Sequence, residues 1–284
     1  MLYGDYMRQR QPTLALINLI QDRYLLKYWQ RSLLSSIIKM FIPKPEMHSN
    51  LDEASELKKL GYVSLPNIPV QSLAKIRAIA ETCDLFDPWS EDFNTFTKAN
   101  RPEGISTAKI ANPALYNEIT ELAHSSHSID IASNYFGCKC IVDSVDVWWS
   151  FPRDGEALEA ENFHRDRDAT EFLKWFVYVT DVDEVSGPHE YALDSVKSNK
   201  FAKGGRYIDA DIYNEFDTKK FIGQIGTNFL ENTYGLHRGY KPKEKERLLF
   251  QVRYSVIGSS FRYRSERNNQ NYERKNMRYS YLLK

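Results

Sequence analysis

Three hydrophobic patterns divide the chain. Over residues 13–41 apolar positions recur at helical spacing, first at Leu14, Leu16, Ile17, Leu19 and Ile20, then at Leu25, Leu26, Trp29, Leu33, Leu34, Ile37, Ile38 and Phe41. The second set follows the i, i+3/i+4 rule and predicts an amphipathic helix, broken from the first set, with Lys27, Arg31 and Lys39 among its polar positions. Pro43 and Pro45 make 42–50 a linker. Such a stripe is expected to pack on the main domain. The alternatives are an interfacial helix on an anionic membrane and an oligomer contact.

The second pattern is short and helical. Residues 52–61 predict a helix closed by Gly61. Tyr62–Pro66 follows as a strand. Ser72–Cys83 reads as a helix with Leu73, Ile76, Ile79 and Ala80 on one side, 84–105 as loop, and 112–135 as one or two helices. From residue 139 the third pattern takes over. Residues 139–150, 173–180, 224–230 and 247–257 favour β-branched and aromatic residues and predict strands. Residues 194–222 interrupt them as loop or helix. Strands without crossover helices predict a mainly β fold with flanking helices, an antiparallel double-sheet jelly roll.

Charge sharpens this picture. The formal net charge is zero, which argues against a nucleic-acid surface. Seven basic against three acidic residues in 1–46, and seven against two in 259–284, leave an acidic body between basic ends. The expected organisation is an N-terminal helical extension over 1–46, a β domain over 47–258 and a basic tail over 259–284. Three cysteines, Cys83, Cys138 and Cys140, fit a reducing, cytoplasmic setting better than a disulfide framework or a zinc knuckle. No apolar run long enough to span a membrane and no secretory signal is read; peripheral contact through 13–41 is the one membrane option.

The candidate chemistry centres on Asn162-Phe163-His164-Arg165-Asp166-Arg167-Asp168. In an extended segment residues i and i+2 share a face, so His164 and Asp166 can reach one ion together. His237 follows the turn Asn232–Leu236, and Arg247 opens the strand Arg247–Tyr254. Two imidazoles and one carboxylate are the ligand set of non-heme Fe(II) oxygenases, and a buried Arg fork suits a dicarboxylate cosubstrate such as a 2-oxo acid. Arg253 shares the parity of Arg247, and would serve a substrate anion or a structural acid. Asp168 is the rival carboxylate and His189 the rival imidazole. His124 and His127 read as surface or capping residues. The chain has no Gly-x-Ser-x-Gly elbow and no Gly-rich phosphate loop. A cupin-like metal enzyme of another kind and a non-catalytic barrel are the competing classes, and Arg247 argues against the first.

The run from His164 to Arg253 resembles the phytanoyl-CoA dioxygenase-like branch of the Fe(II)/2-oxoglutarate oxygenases. The likeness rests on His164-x-Asp166 after a strand ending Trp148-Trp149-Ser150-Phe151-Pro152, on the aromatic strand Trp175–Val182 leading to Ser186-Gly187-Pro188-His189, on Gly235-Leu236-His237-Arg238-Gly239, and on Arg247. It departs at Ala192–Lys197, where the family often carries Pro-Gly-Ser-His, and at Gly239, where relatives carry a small polar residue. The resemblance implies a double-stranded β-helix, a cupin-like barrel. It also implies Fe(II) on His164, Asp166 and His237, with 2-oxoglutarate held by Arg247. Trp175 and Arg253 join as further cofactor contacts, and Trp148, Trp149 and Phe176 as walls. The implied reaction is hydroxylation of a small molecule by O2, with release of succinate and CO2.

Overall fold

The computed structural model describes residues 20, 27–45, 50–90, 94–202 and 205–258. The first helical set (apart from Ile20), Leu25 and Leu26 of the second set, and the basic tail fall outside them. Among the described residues there are six α-helices and eleven strands. They are α1 (Tyr28–Lys39), α2 (Leu51–Leu60), β1 (Tyr62–Leu65), α3 (Val70–Thr82), β2 (Leu85–Phe86), β3 (Thr95–Phe96), β4 (Thr107–Ile110), α4 (Asn117–Ala123) and α5 (Ser126–Phe136). Then come β5 (Ile141–Ser150), β6 (Phe172–Tyr178), β7 (His189–Ala192), α6 (Asp209–Tyr213), β8 (Thr218–Phe221), β9 (Asn228–Glu231), β10 (His237–Gly239) and β11 (Arg247–Ser255).

The strands form an eight-stranded sheet in the order β1-β9-β6-β11-β5-β4-β2-β3 and a three-stranded sheet in the order β10-β7-β8. A bridge between His164 and His237 adds the 163–164 segment to the edge of the smaller sheet. All ladders are antiparallel. This is the expected jelly roll, a double-stranded β-helix.

The larger sheet is buried on both faces. Alternation along β11 sends Leu248, Phe250, Val252 and Tyr254 into a core shared with Leu57 of α2, Leu73 and Ile76 of α3, and Ile131 of α5. Leu249 turns the other way, into a second core with Phe176, Tyr178, Phe229, Tyr191 and Phe221 that lies between the sheets. The order is helices, large sheet, small sheet. Trp149 ties the helical layer down by donating its indole N–H to the carbonyl of Ala80 at 2.9 Å. Gly61 closes α2 in the left-handed region, φ 84°, as its sequence position requires.

Several expectations need correction. Residues 84–105 contain β2 and β3, which extend the large sheet by two-residue strands too short to leave a periodic signal. The span 194–222 contains α6 and the strand β8, and 224–230 pairs only from Asn228 onward. His189, the rival imidazole, opens the four-residue strand β7, which the sequence pattern did not mark. The α1 helix packs on the domain with only part of the expected stripe: Leu34 and Ile38 are half-buried beside the buried Arg31 and Ser35, while Trp29, Leu33 and Ile37 are exposed.

Candidate metal centre

The bridge that joins the sheet edges also builds the site. His164 N–H donates to the His237 carbonyl, and His237 N–H to the His164 carbonyl, each at 3.0 Å. That reciprocal pair sets the two imidazoles side by side, ring centres 4.3 Å apart. Asp166 N–H donates to the Thr233 carbonyl at 2.9 Å, holding the third residue against the turn that leads to His237. In this extended run 164 and 166 face the barrel interior, and Arg165 faces away. Its buried guanidinium donates to the carbonyls of Tyr234 at 2.6 Å, Ser195 at 2.8 Å, and Phe201 and Lys200 at 3.1 Å. Arg165 thereby fixes the loop, a positioning role that the sequence reading missed; its alternation with His164 and Asp166 was the available signal.

The donor set is preorganised. Nδ1 of His164 donates to the Asn162 carbonyl at 2.8 Å, and Nδ1 of His237 to the Gly235 carbonyl at 3.0 Å. Each bond fixes the tautomer that leaves Nε2 as a lone-pair donor. The Nε2 of His164 lies 3.6 Å from Asp166 Oδ1, and that of His237 3.3 Å from Asp166 Oδ2. One ligand atom from each residue falls within 4.8 Å of the others. A metal bonded at ~2.1 Å to three donors at right angles needs them about 3 Å apart, so a small inward adjustment of the side chains suits a divalent ion.

Burial, then the neighbouring His237, pushes the pKa of His164 down to about 3, so this imidazole is neutral, as a ligand must be. For His237 burial also disfavours charge, but the Asp166 carboxylate outweighs it and raises the pKa. Burial opposes ionisation of Asp166 too, yet Lys174 and the two imidazoles hold its pKa well below the usual range.

Around the triad the barrel lining is ionic. Lys174 Nζ lies 2.6 Å from Asp166 Oδ2 and 3.0 Å from Asp168 Oδ2. Arg253 reaches Asp168 and Asp143, both at 2.8 Å. Lys109 meets Asp146 at 3.1 Å and lies over the Trp148 ring. Asp168 is thus held by two cations, whereas Asp166 faces the two imidazoles. His189 is no part of the donor set: its Nε2 lies 2.9 Å from Glu231 Oε2, and its ring packs on Phe176 and His237. That distance suits an ion pair, but burial disfavours both charges. It pushes His189 well below its usual range and Glu231 up to about 8, so the contact is a neutral hydrogen bond. Lys174, Lys109 and Glu231 were not singled out from sequence.

Arg247 and Arg253 both face the interior, as parity required, but their surroundings differ. Arg253 has two carboxylates. Arg247 is buried beside Gly239, donates to the Gly187 carbonyl and to Ser150 Oγ at 3.2 Å, and among the described residues pairs with no carboxylate. Its Nε has no partner. Gly187 adopts φ 73°, and a side chain there would collide with the Tyr240 carbonyl, so the Gly-Pro turn shapes the backbone that receives Arg247. Of the aromatic candidates, Trp148 and Phe176 pack between the sheets. Trp149 and Trp175 belong to the helix-side core, and the Trp175 indole donates to Asn228 Oδ1 at 3.0 Å. The structure therefore places Trp175 on the far face of its strand, away from the expected cofactor contact.

No family profile matches the chain. No curated protein matches it in sequence. Solved structures do resemble it in fold. The non-heme alpha-ketoglutarate-dependent epimerase SnoN from nogalamycin biosynthesis matches with TM-score 0.52 and 16% identity, over 72% of this chain and 80% of that one. EctD from S. alaskensis with bound Fe matches with TM-score 0.56 and 13% identity, over 75% and 80%. The alpha-ketoglutarate-dependent carbocyclase SnoK matches with TM-score 0.52 and 15% identity, over 74% and 84%.

Proposed function

We propose that this chain is an Fe(II)- and 2-oxoglutarate-dependent dioxygenase, similar to the phytanoyl-CoA dioxygenase-like branch, that hydroxylates an unactivated C–H bond of a small molecule and releases succinate and CO2. The observation that carries the reading is the pairing of a preorganised His164–Asp166–His237 donor set with a buried arginine that has no carboxylate of its own. Bound iron with 2-oxoglutarate and O2 supplies the oxidising chemistry. The chain supplies position and charge. His164 and His237 present Nε2, and Asp166 adds the single negative charge of the triad. Arg247 matches the remote carboxylate of the cosubstrate, for which a desolvated bidentate fork is the best side-chain partner. Phe176, Leu249 and Trp148 exclude water from the space between the sheets. Residues 47–258 form the oxygenase domain, with 1–46 and 259–284 as extensions.

Anaerobic titration tests this. Fe(II) with 2-oxoglutarate is expected to give the metal-to-ligand absorption band of this enzyme class. Asp166→Ala loses the metal, while Asp168→Ala keeps it. Arg247→Ala keeps metal but weakens 2-oxoglutarate by at least ~2 kcal/mol, the scale for breaking a buried charged contact. A band that survives Arg247→Ala and vanishes in Arg253→Ala moves the anchor to residue 253. Failure of Fe(II) or Mn(II) to bind the intact chain sinks the oxygenase reading. Product analysis then separates hydroxylation from the epimerisation and carbocyclisation named for the structural neighbours.

A further inference from the structure

An amphipathic helix on a globular domain buries its apolar stripe and turns its polar face to water. The α1 helix does so only in part: Leu34 and Ile38 are half-buried, Ile38 against the helix-side core, but the residues it buries fully are polar. Its buried residues are Arg31 and Ser35. Arg31 donates to the Ala169 carbonyl, Ser35 to the Glu171 carboxylate, and Lys39 lies 2.6 Å from Glu171. Tyr28 packs on Tyr234, ring centres 6.1 Å apart. Three polar anchors at a spacing of four thus fasten the helix. Outward lie Trp29 at 59%, Leu33 at 59% and Ile37 at 48% exposure, again at a spacing of four, and beyond the helix end Met40 at 74% and Phe41 at 83%. Three large apolar side chains at i, i+4 and i+8 share the outer face of the helix, and Met40 and Phe41 extend the exposed apolar surface past its end.

Charge selects what covers it. Residues 27–45 contain Lys27, Arg31, Lys39 and Lys44 and no acidic residue. Lys27 and Lys44 are exposed at the two ends of the stripe. A second copy packed through the same face would bring like charges together. An anionic lipid surface accepts the aliphatic side chains, favours Trp29 at its headgroup level, and attracts the lysines.

We propose that the outer face of α1 docks on an anionic lipid surface and that the substrate is a lipid or a lipid-linked molecule taken from it. The second clause rests on the oxygenase reading. The first does not. The placement supports both, because α1 lies against residues 169–171, which follow Asp166 and Asp168, and against Tyr234, in the turn before His237. The helix that would meet the lipid is thereby fastened to both segments that carry the metal ligands.

Co-sedimentation of the full, metal-free chain tests docking, with phosphatidylcholine vesicles containing phosphatidylglycerol compared with phosphatidylcholine alone. Wild type is expected to pellet roughly tenfold more with the anionic vesicles, less so at high salt. The combined Trp29→Ser, Leu33→Ser, Ile37→Ser variant is expected to lose that pelleting with its melting temperature unchanged, since the three side chains are exposed. No preference for anionic vesicles overturns the proposal, as does unchanged pelleting of the triple variant. So does a wild-type dimer that does not pellet and that the triple variant converts to a monomer, which would make a second copy the occupant. Pelleting requires neither metal nor turnover. A protein that pellets but binds no metal therefore overturns only the oxygenase reading, and one that binds metal but does not pellet overturns only the docking.

Discussion

Lys174 is the residue whose role is most open to test. Its ammonium lies between Asp166 and Asp168. Burial alone would lower its pKa, but the two carboxylates outweigh burial and raise it. Lys174→Met leaves two buried carboxylates facing each other with Arg253 as the remaining cation. Breaking such an arrangement costs roughly 3–5 kcal/mol. A divalent ion would replace part of the missing charge. Mn(II) is therefore expected to raise the melting temperature of Lys174→Met by more than it raises that of wild type. An equal or smaller increment would mean that Lys174 does not balance the charge on Asp166. None of this was visible in the sequence, where Lys174 stands in an aromatic strand. Its carboxylates come from a loop eight and six positions earlier, and only the fold sets them opposite.

Among the strands, length decided most of what could be read in advance, the four-residue β1 being marked by the helix-closing Gly61 before it and Pro66 after it. The strands β5, β6 and β11 have ten, seven and nine residues, and their β-branched and aromatic content announced them. The strands β4, β7, β8 and β10 have four residues or fewer, and within so short a run alternation cannot be told from chance. Yet β7 and β10 carry His189 and His237, so the smaller half of the barrel was legible mainly through its chemistry.

The pair His189–Glu231 joins β7 to β9 and carries a pH dependence of its own. Burial raises the pKa of Glu231 to about 8, far above its ordinary 4.5. A carboxyl raised on folding contributes stability that is full below the unfolded pKa and is lost as pH rises through the folded one. The metal-free protein is thus expected to lose stability from this group between about pH 5 and 8. Glu231→Gln keeps a neutral hydrogen-bonding side chain and removes that slope. By denaturant melts it should match wild type near pH 5 and exceed it by on the order of 4 kcal/mol above pH 8. A constant difference across that range would show that Glu231 is ionised in the folded protein.

For the whole molecule, the jelly roll, the meeting of His164, Asp166 and His237 and the shared face of Arg247 and Arg253 were legible because each rests on local spacing. The sequence could not say which face of α1 would meet the domain. Periodicity shows that a stripe exists and is silent on what lies beside it. The helix-side position of Trp175 was hidden for a related reason: in a strand buried on both faces, composition does not mark the inner side.

One further property follows from the reciprocal bond between His164 and His237. A metal at that bridge would tie together two points of the chain separated by strands β6 to β9 and their loops. Such a tie acts on the unfolded chain as a disulfide does, by removing loop entropy, worth roughly 4 kcal/mol for a loop of this order. The enclosed segment includes the exposed Lys197 and Lys200. Limited trypsin digestion is expected to cut there faster after chelation than with Mn(II) bound, while cleavage at Lys58 or Lys59, outside the loop, changes less. Equal acceleration everywhere would mean that the ion stabilises the protein without serving as a cross-link. A metal held there would thus also close the topology of the barrel.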